Sequence, residues 1–331
     1  MPPRDRDNQV RVLVTGVGGP AAVSVMKSLR ADPTVVLLAA DIDPWAAGLY
    51  LVPPEARTLI PRGDDPSLVA ALFGACVSLG VDVLVPTVDT ELRPVAQARG
   101  QFAGAGIELL LAPDEALAVT LDKLALARCC AGTVRVPRTE LLTGTDPRSW
   151  EYPVVVKPRR GSGSRDISVV DSAQALAALC AGDGFLIQEY LPGEEYSIDV
   201  LADAGGHVVA SVPRVRERVD SGVSVAGRTV HDAELELFGT RVATVTGLTY
   251  IANVQSRRDR AGRPALLEVN PRVPGTLPLT VASGVDMPRM ALDSLRGRPL
   301  PDHADFREIA MVRFLDELFV ELEEIRQVKA I

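Results

Sequence analysis

Cysteine is scarce in this chain of 331 residues, and its four thiols, Cys76, Cys129, Cys130 and Cys180, show neither C-x-x-C spacing nor the density of a disulfide framework. They read as reduced thiols, which makes the cytoplasm the expected compartment, and the vicinal Cys129-Cys130 pair reads as helix packing. No apolar run reaches the roughly 20 residues that span a bilayer. The stretch from Met1 to Gln9 is charged and proline-containing, so no apolar leader is expected. An excess of one charge is also missing: 35 basic against 43 acidic residues give a net charge of −8, with both signs interspersed. That pattern argues against a nucleic-acid groove or an anionic membrane surface and leaves small molecules as the expected partners. Internal repeats and low-complexity segments are absent as well. What is present is 47% hydrophobic content, ample for sizeable cores in two or three domains.

The first segment reads as strand, glycine turn and helix. Val10 to Thr15 is apolar and β-branched, Gly16-Val17-Gly18-Gly19-Pro20-Ala21 follows, and Ala22 to Arg30 has helical spacing. A second strand from Val35 to Ala40 ends in Asp41, so the segment meets the G-x-G-x-x-A fingerprint with an acidic residue about 20 positions on. On this basis an NAD(P)-dependent dehydrogenase using Gly16, Gly18, Ala21 and Asp41 is one reading. Glycine amides at a helix start, Gly18 and Gly19 among them, bind pyrophosphate, carboxylate or acyl phosphate equally well, so the turn does not choose its anion. A helix from Ser67 to Leu79 and a strand from Val81 to Pro86 lead to Thr87-Val88-Asp89-Thr90-Glu91. Asp89 and Glu91 are candidates to face an amine-bearing substrate, with N-capping by Asp89 or Thr90 as the alternative. A strand from Gly106 to Leu111 closes the unit.

Asp114 is expected to cap a helix that leads to Asp122-Lys123 and an alanine-rich helix through Cys130. After the linker Arg135-Val136-Pro137 and a loop from Thr143 to Pro147 comes an apolar strand ending in Lys157. The loop Arg159-Arg160-Gly161-Ser162-Gly163-Ser164-Arg165 and the strand Ile167 to Val170 follow. A lysine beside a glycine-serine loop suits phosphate, since one supplies a point charge and the other backbone amides. The strand from Phe185 runs into Gln188-Glu189-Tyr190-Leu191-Pro192-Gly193-Glu194-Glu195, a hinge whose backbone can read an adenine edge. Ser197 to Ala202 and His207 to Val212 read as strands. Arg214 to His231, rich in arginine, reads as a polar substrate-side loop in which Arg216 and its neighbours hold a carboxylate or phosphate. A helix from Ala233 to Thr246 precedes two strands, Tyr250 to Gln255 and Leu266 to Asn270. In the second, Glu268, Asn270 and Arg272 alternate onto one face, and Gln255 falls beside Glu268 across the hairpin. Two oxygen donors followed by a fixed cation suit Mg²⁺ held against phosphate. Val273-Pro274-Gly275-Thr276 reads as a turn lining an acceptor pocket, with a helix from Met287 to Leu295, a last strand from Ile309 to Phe314 and an acidic amphipathic helix from Asp316 to Arg326.

Asn253-Val254-Gln255 followed by Glu268-Val269-Asn270-Pro271-Arg272 resembles the metal-binding end of the ATP-grasp ligases, among them the carbamoyl-phosphate-synthetase-like members, and the earlier motifs arrive in that family's order. The resemblance implies an α/β fold. A Rossmann-like pre-ATP-grasp domain would span 1–113, a small lid subdomain 114–187 and a C-terminal catalytic subdomain 188–331. It further implies ATP and Mg²⁺, with Mn²⁺ as an alternative ion. Gln255, Glu268 and Asn270 would hold the metal. Lys123, Lys157 and Gly161-Ser162-Gly163-Ser164 would hold phosphates, and Gln188, Glu189, Tyr190 and Leu191 would lie along the adenine. Glu194 or Glu195 would hold the ribose, and Arg272 the transferring phosphoryl group. The implied function is a carboxylate-amine or carboxylate-thiol ligase acting through an acyl phosphate on an amino acid or other small carboxylate, with a homodimer as the default assembly. One set of motifs instead of two counts against carbamoyl phosphate as product. A nucleotide-binding protein without turnover is the third reading.

Overall fold

The computed structural model describes residues 9–161, 166–179, 182, 184–220 and 223–331. Cys180, Ser162, Gly163, Ser164, Arg165, Ser221 and Gly222 lie outside the described residues. The first unit alternates strand and helix: β1 (Val10–Thr15), α1 (Pro20–Leu29), β2 (Val35–Asp41), β3 (Arg57–Leu59), α2 (Leu68–Leu79), β4 (Val83–Val85), α3 (Asp89–Gln97), α4 (Arg99–Gly104) and β5 (Glu108–Leu109). All five strands pair in parallel in the order β3-β2-β1-β4-β5. Strands covered by helices on both faces are buried on both, which is why β1 is apolar apart from Arg11 and Thr15. Gly16 ends β1 at φ +63°, and a Cβ there would lie 2.5 Å from a Val88 methyl, so only glycine lets the chain turn beneath α3. The strand expected over Gly106 to Leu111 shrinks to two residues, because β5 is an edge strand with one neighbour.

Two helices, α5 (Asp114–Thr120) and α6 (Lys123–Cys130), lead into a four-stranded antiparallel sheet. Its strands are β6 (Thr139–Leu141), β7 (Val154–Pro158), β8 (Ser168–Val170) and, after α7 (Ala173–Ala178), β9 (Phe185–Glu189), in the order β6-β9-β7-β8. Trp150, Val154, Val156, Val170, Leu176 and Ile187 form its separate small core. The division expected between 187 and 188 falls inside β9.

The third sheet has six strands. β10 (Glu195–Ala202), β11 (Val208–Asp220), β12 (Val223–Thr229), β13 (Tyr250–Arg258), β14 (Pro264–Asn270) and β15 (Ala310–Val312) lie in the order β14-β13-β10-β11-β12-β15. Between and after them come α8 (Ala233–Thr246), α9 (Leu277–Ser283), α10 (Met287–Leu295) and α11 (Leu322–Gln327). Register gives the sheet two chemically opposite faces. One carries Ile198, Val200 and Val254 and packs on α8, where Gly239 lies so close that a Cβ would sit 2.5 Å from Ser211 Oγ and 2.7 Å from an Ile198 methyl. Directly opposed residues share a face, so the row Glu268, Gln255, Ser197, Arg214, Thr229 lies on the other side, with Asn270, Asn253 and Asp199 in the next row.

Two expectations are corrected here. Residues 214–231, read as a polar loop, form the β11–β12 hairpin up to Thr229, because Arg214 and Arg216 point to a sheet face that is itself lined with polar groups and need no apolar partners there. The acidic helix expected from Asp316 begins only at Leu322: Leu315 and Phe319 are each 94% exposed, so no buried face supports a helix before that point.

Candidate active site

The polar face of the six-stranded sheet meets the end of the four-stranded sheet at Glu268. Gln255 lies directly opposite Glu268, and Asn253 opposite Asn270, as the hairpin reading expected. Among the described residues no three His, Cys, Asp or Glu side chains form a metal cluster. The donor set is therefore one carboxylate and two carboxamides. That set fits Mg²⁺, which is bound through one or two carboxylates plus the oxygens of a nucleotide's phosphates.

Two lysines converge on the same carboxylate. Lys123, the first residue of α6, places Nζ 3.3 Å from Glu268 Oε2 and donates to the Gly161 carbonyl at 2.7 Å. Lys157, near the end of β7, is buried and donates to the Leu267 carbonyl at 3.3 Å. Burial pushes its ammonium down to about 8, Glu268 opposing and Lys123 assisting. Asp122 holds this corner together: it caps α6 through the Leu124 and Ala125 amides and accepts from Arg159 at 2.8 Å and from Arg160 at 3.1 Å. The start of the loop from Arg159 is thereby tied to the helix carrying Lys123. Ser162, Gly163 and Ser164 lie outside the described residues.

Arg272 follows Asn270 and reaches the first unit, where Asp89 accepts both its Nε and Nη2 at 2.8 and 2.7 Å. Asp89 is the first residue of α3; the N-cap is Val88, which corrects the capping alternative. Gly275 places its carbonyl against the Arg313 guanidinium. The glycine turn is internally satisfied. Gly18 N–H donates to Asp41 Oδ2 at 2.7 Å, Asp43 N–H to the other Asp41 oxygen at 3.0 Å, and Gly19 N–H to the Gly16 carbonyl at 2.9 Å.

Glu91, expected to face substrate, is instead 2% exposed and accepts from Thr15 Oγ1 at 2.5 Å. Its place on the inward side of α3 turned it from solvent. Burial raises its carboxyl to about 7, against the Thr15 and Val88 hydrogen bonds. Between the ordinary carboxyl value of 4.5 and about 7 the folded chain keeps a proton the unfolded chain has released. Stability therefore falls as pH rises through that window. Glu91→Gln, whose amide oxygen can still accept from Thr15, is expected to flatten this slope and to gain up to about 3 kcal/mol at pH 8 while matching wild type at pH 4.5. Parallel melting profiles from pH 4.5 to 8 would exclude that assignment.

At the hinge, Gln188 is buried and donates to Thr139 Oγ1 at 2.8 Å. Glu189 is held by Arg135 at 2.6 and 2.7 Å, and its N–H donates to the Arg138 carbonyl at 2.9 Å, so that amide is engaged within the protein. Tyr190 is half-buried and Leu191 buried. Glu194 accepts from the Tyr196 hydroxyl at 2.5 Å on the apolar side of β10. Glu195 points to the polar face, where Arg216 meets it while also donating to Ser224 Oγ at 3.2 Å.

Sequence reasoning missed the group beneath the site. Asp199, fully buried, accepts from Arg214 Nε and Nη2 at 2.8 and 2.7 Å, from Asn253 Nδ2 at 2.8 Å and from Thr280 Oγ1 at 2.5 Å. The available signal was an aspartate inside the apolar run Ile198-Asp199-Val200-Leu201, since a buried charge requires a partner.

Residues 182–318 match a family described as ATP-grasp in the biosynthetic pathway with Ter operon. The carbamoyl phosphate synthase large chain of Thermomicrobium roseum is 33% identical over 167 residues, covering 46% of this chain and 15% of that one. A carbamoyl-phosphate synthase of Methanobrevibacter smithii is 30% identical, covering 48% of this chain and 44% of that protein. The chain thus spans less than half the length of these relatives. Among solved structures, biotin carboxylase from Campylobacter jejuni superposes with a TM-score of 0.72 at 17% identity, covering 89% and 73% of the two chains. An L-amino acid ligase from Bacillus licheniformis superposes at 0.66 with 15% identity, covering 87% and 75%.

Proposed function

From the premise that the chain has the ATP-grasp fold and resembles carbamoyl-phosphate synthases, we propose that it is an ADP-forming ligase joining a small carboxylate to an amine, or to a thiol, through an acyl phosphate. One observation carries this reading: Lys123, Lys157 and Glu268 converge from three elements onto a polar sheet face that also presents Gln255 and Asn270. On this reading 1–113 is a Rossmann-like substrate domain, 114–187 a lid and 188–331 the catalytic subdomain. Lys123 and Lys157 hold phosphates, Glu195 the ribose hydroxyls and Gln255, Glu268 and Asn270 the Mg²⁺, for which Mn²⁺ would substitute. Bound there, the ion would supply neutralisation of phosphate charge. The substrate carboxylate attacks the γ-phosphorus, ADP leaves, and the amine then displaces phosphate from the acyl carbon. Positioning and charge neutralisation by these side chains carry both steps. Arg272, oriented by Asp89, lies where the first unit meets the metal strand and would face the transferring phosphoryl group.

Lys157→Ala is expected to weaken ATP binding about 10- to 100-fold in calorimetry, as removal of a buried charged donor predicts, with Lys157→Arg recovering part of it. An unchanged dissociation constant would refute the phosphate contact. The dehydrogenase reading is disfavoured by Asp41, which is buried and whose two oxygens already accept from the Gly18 and Asp43 N–H groups. Thermal shift with Mg²⁺-ATP against NAD and NADP separates the two, and ADP release with pooled carboxylates and amines, with mass spectrometry of products, tests the ligase. Stabilisation by NAD alone would overturn it.

A further inference from the structure

On the side of its polar face away from the metal strand, the six-stranded sheet carries two cations that share one carboxylate. Arg214 is 1% exposed and directs Nε and Nη2 at Asp199, at 2.8 and 2.7 Å. Asn253 and Thr280 donate to the same carboxylate, so each of its oxygens accepts two hydrogen bonds and its acceptor sites are filled. The planar guanidinium then turns Nη1 away from β10, and that nitrogen is buried with no partner among the described residues. The second cation is Arg313, just past β15. It is part-buried, its partner is the Gly275 carbonyl, and no carboxylate pairs with it among the described residues. Burial first and the Arg214 charge second hold its guanidinium below the usual arginine range. Register puts both arginines on one face: Thr229 opposes Arg214, and Gly227, two residues away, opposes Met311, itself two residues from Arg313. Gly227 brings no side chain between them.

We propose that this corner is an anion subsite of the substrate pocket, in which Arg313 and the free edge of Arg214 hold a carboxylate or phosphate group borne by a substrate, separate from the carboxylate activated at the metal strand. A buried donor without a partner calls for one from outside the chain. Water would satisfy the hydrogen bond but not the charge, whereas an anion does both, and guanidinium forks match carboxylate and phosphate oxygens. The corner belongs to the pocket because Glu268, Gln255, Ser197 and Arg214 form one row across the sheet, and because Gly275, whose carbonyl meets Arg313, lies in the turn that follows the metal strand. Arg216, the arginine expected there from the sequence, is engaged instead with Glu195 and Ser224. The subsite deepens the ligase reading and rests on it for the ligand's being a substrate. It narrows that substrate to an amino acid acceptor, a carboxylate with a second acid group or a phosphorylated acid, and excludes a pair made only of a monocarboxylate and an uncharged amine.

Calorimetry of the full chain without nucleotide or Mg²⁺, titrated in turn with glycine, succinate and inorganic phosphate, is expected to show saturable binding of at least one probe with a dissociation constant of about 1 mM or below. Arg313→Gln should weaken that binding about 10- to 100-fold, as loss of a charged donor predicts. Arg313→Lys, which keeps the charge but not the fork, should fall between, and Lys123→Ala, at the proposed nucleotide phosphates, should leave the anion affinity as it is. The tightest probe names the source: glycine an amino acid acceptor, succinate a second acid group on the activated carboxylate, phosphate a phosphorylated substrate. Mg²⁺-ADP binding, measured separately, reports on the ligase reading, so that reading and this subsite fail independently. Absence of saturable binding of every probe to wild type, binding that Arg313→Gln leaves unchanged in a protein with wild-type circular dichroism, or binding that Lys123→Ala abolishes would each overturn the proposal.

Discussion

Replacing Glu268 with glutamine is expected to cut Mg²⁺-dependent ADP formation by about two to three orders of magnitude, the range seen when one charge-stabilising group is removed from a preorganised site. The substitution keeps shape and one oxygen but removes the only carboxylate of a donor set whose other members, Gln255 and Asn270, are neutral. It also strips the counter-charge from Lys123, 3.3 Å away, and the Coulomb support that keeps the buried Lys157 ammonium protonated near neutral pH. A nucleotide's own phosphates can replace that counter-charge. Binding of metal-free ATP should therefore change little while turnover collapses, and the split distinguishes loss of a metal ligand from general damage. ADP release at limiting and saturating Mg²⁺, with calorimetry of ATP in chelator, makes the measurement. Normal turnover of the glutamine variant at limiting Mg²⁺ would remove Glu268 from the metal.

Asp199→Ala is expected to be the most destabilising single change in the six-stranded sheet, at about 3–5 kcal/mol, because it strands the Arg214 guanidinium, 1% exposed, without its counter-charge. The same change releases Asn253, whose side chain Asp199 holds at 2.8 Å and whose partner across the hairpin is Asn270. Loss of stability and loss of site order should thus appear together. Against a total of about 5–15 kcal/mol for a domain this is a large fraction, and soluble yield should fall with the unfolding midpoint. Pairing Asp199→Leu with Arg214→Met removes both charges and should recover most of the loss, whereas either alone should not. A denaturant midpoint for Asp199→Ala within error of wild type would show that Arg214 finds another partner.

Local chemistry along the chain was enough to place β1, the glycine turn and β2, since a β-branched run, a glycine forced to φ +63° and a second apolar run each have one backbone solution. Both α8 and α10 also follow their sequence periodicity, Ala233 to Thr246 and Met287 to Leu295. That Gln255 and Glu268 lie near each other across the hairpin was legible, but their direct opposition comes from a bulge: from the turn Ser256 opposes Leu266, and a one-residue shift then sets Glu268 opposite Gln255.

Contacts between distant segments were not legible. That Asp89 would meet Arg272, 183 positions away, depends on how the first unit docks on the sheet. Glu91 and Asp89 look equivalent in the sequence, yet α3 turns one carboxylate into the protein beside Thr15 and the other toward Arg272. Arg214 to Thr229 lacks the apolar content that marks a strand because its inward side chains face other polar groups across the sheet. By itself the sequence determined most of the local elements of the first unit and the residues that are candidates for phosphate and metal binding, because those depend on propensity and spacing within a few residues. Only the tertiary structure decided which charges meet, which are buried and which apolar side chains are left outside, because desolvation and ion pairing depend on every element packed around a group and not on its neighbours in the chain.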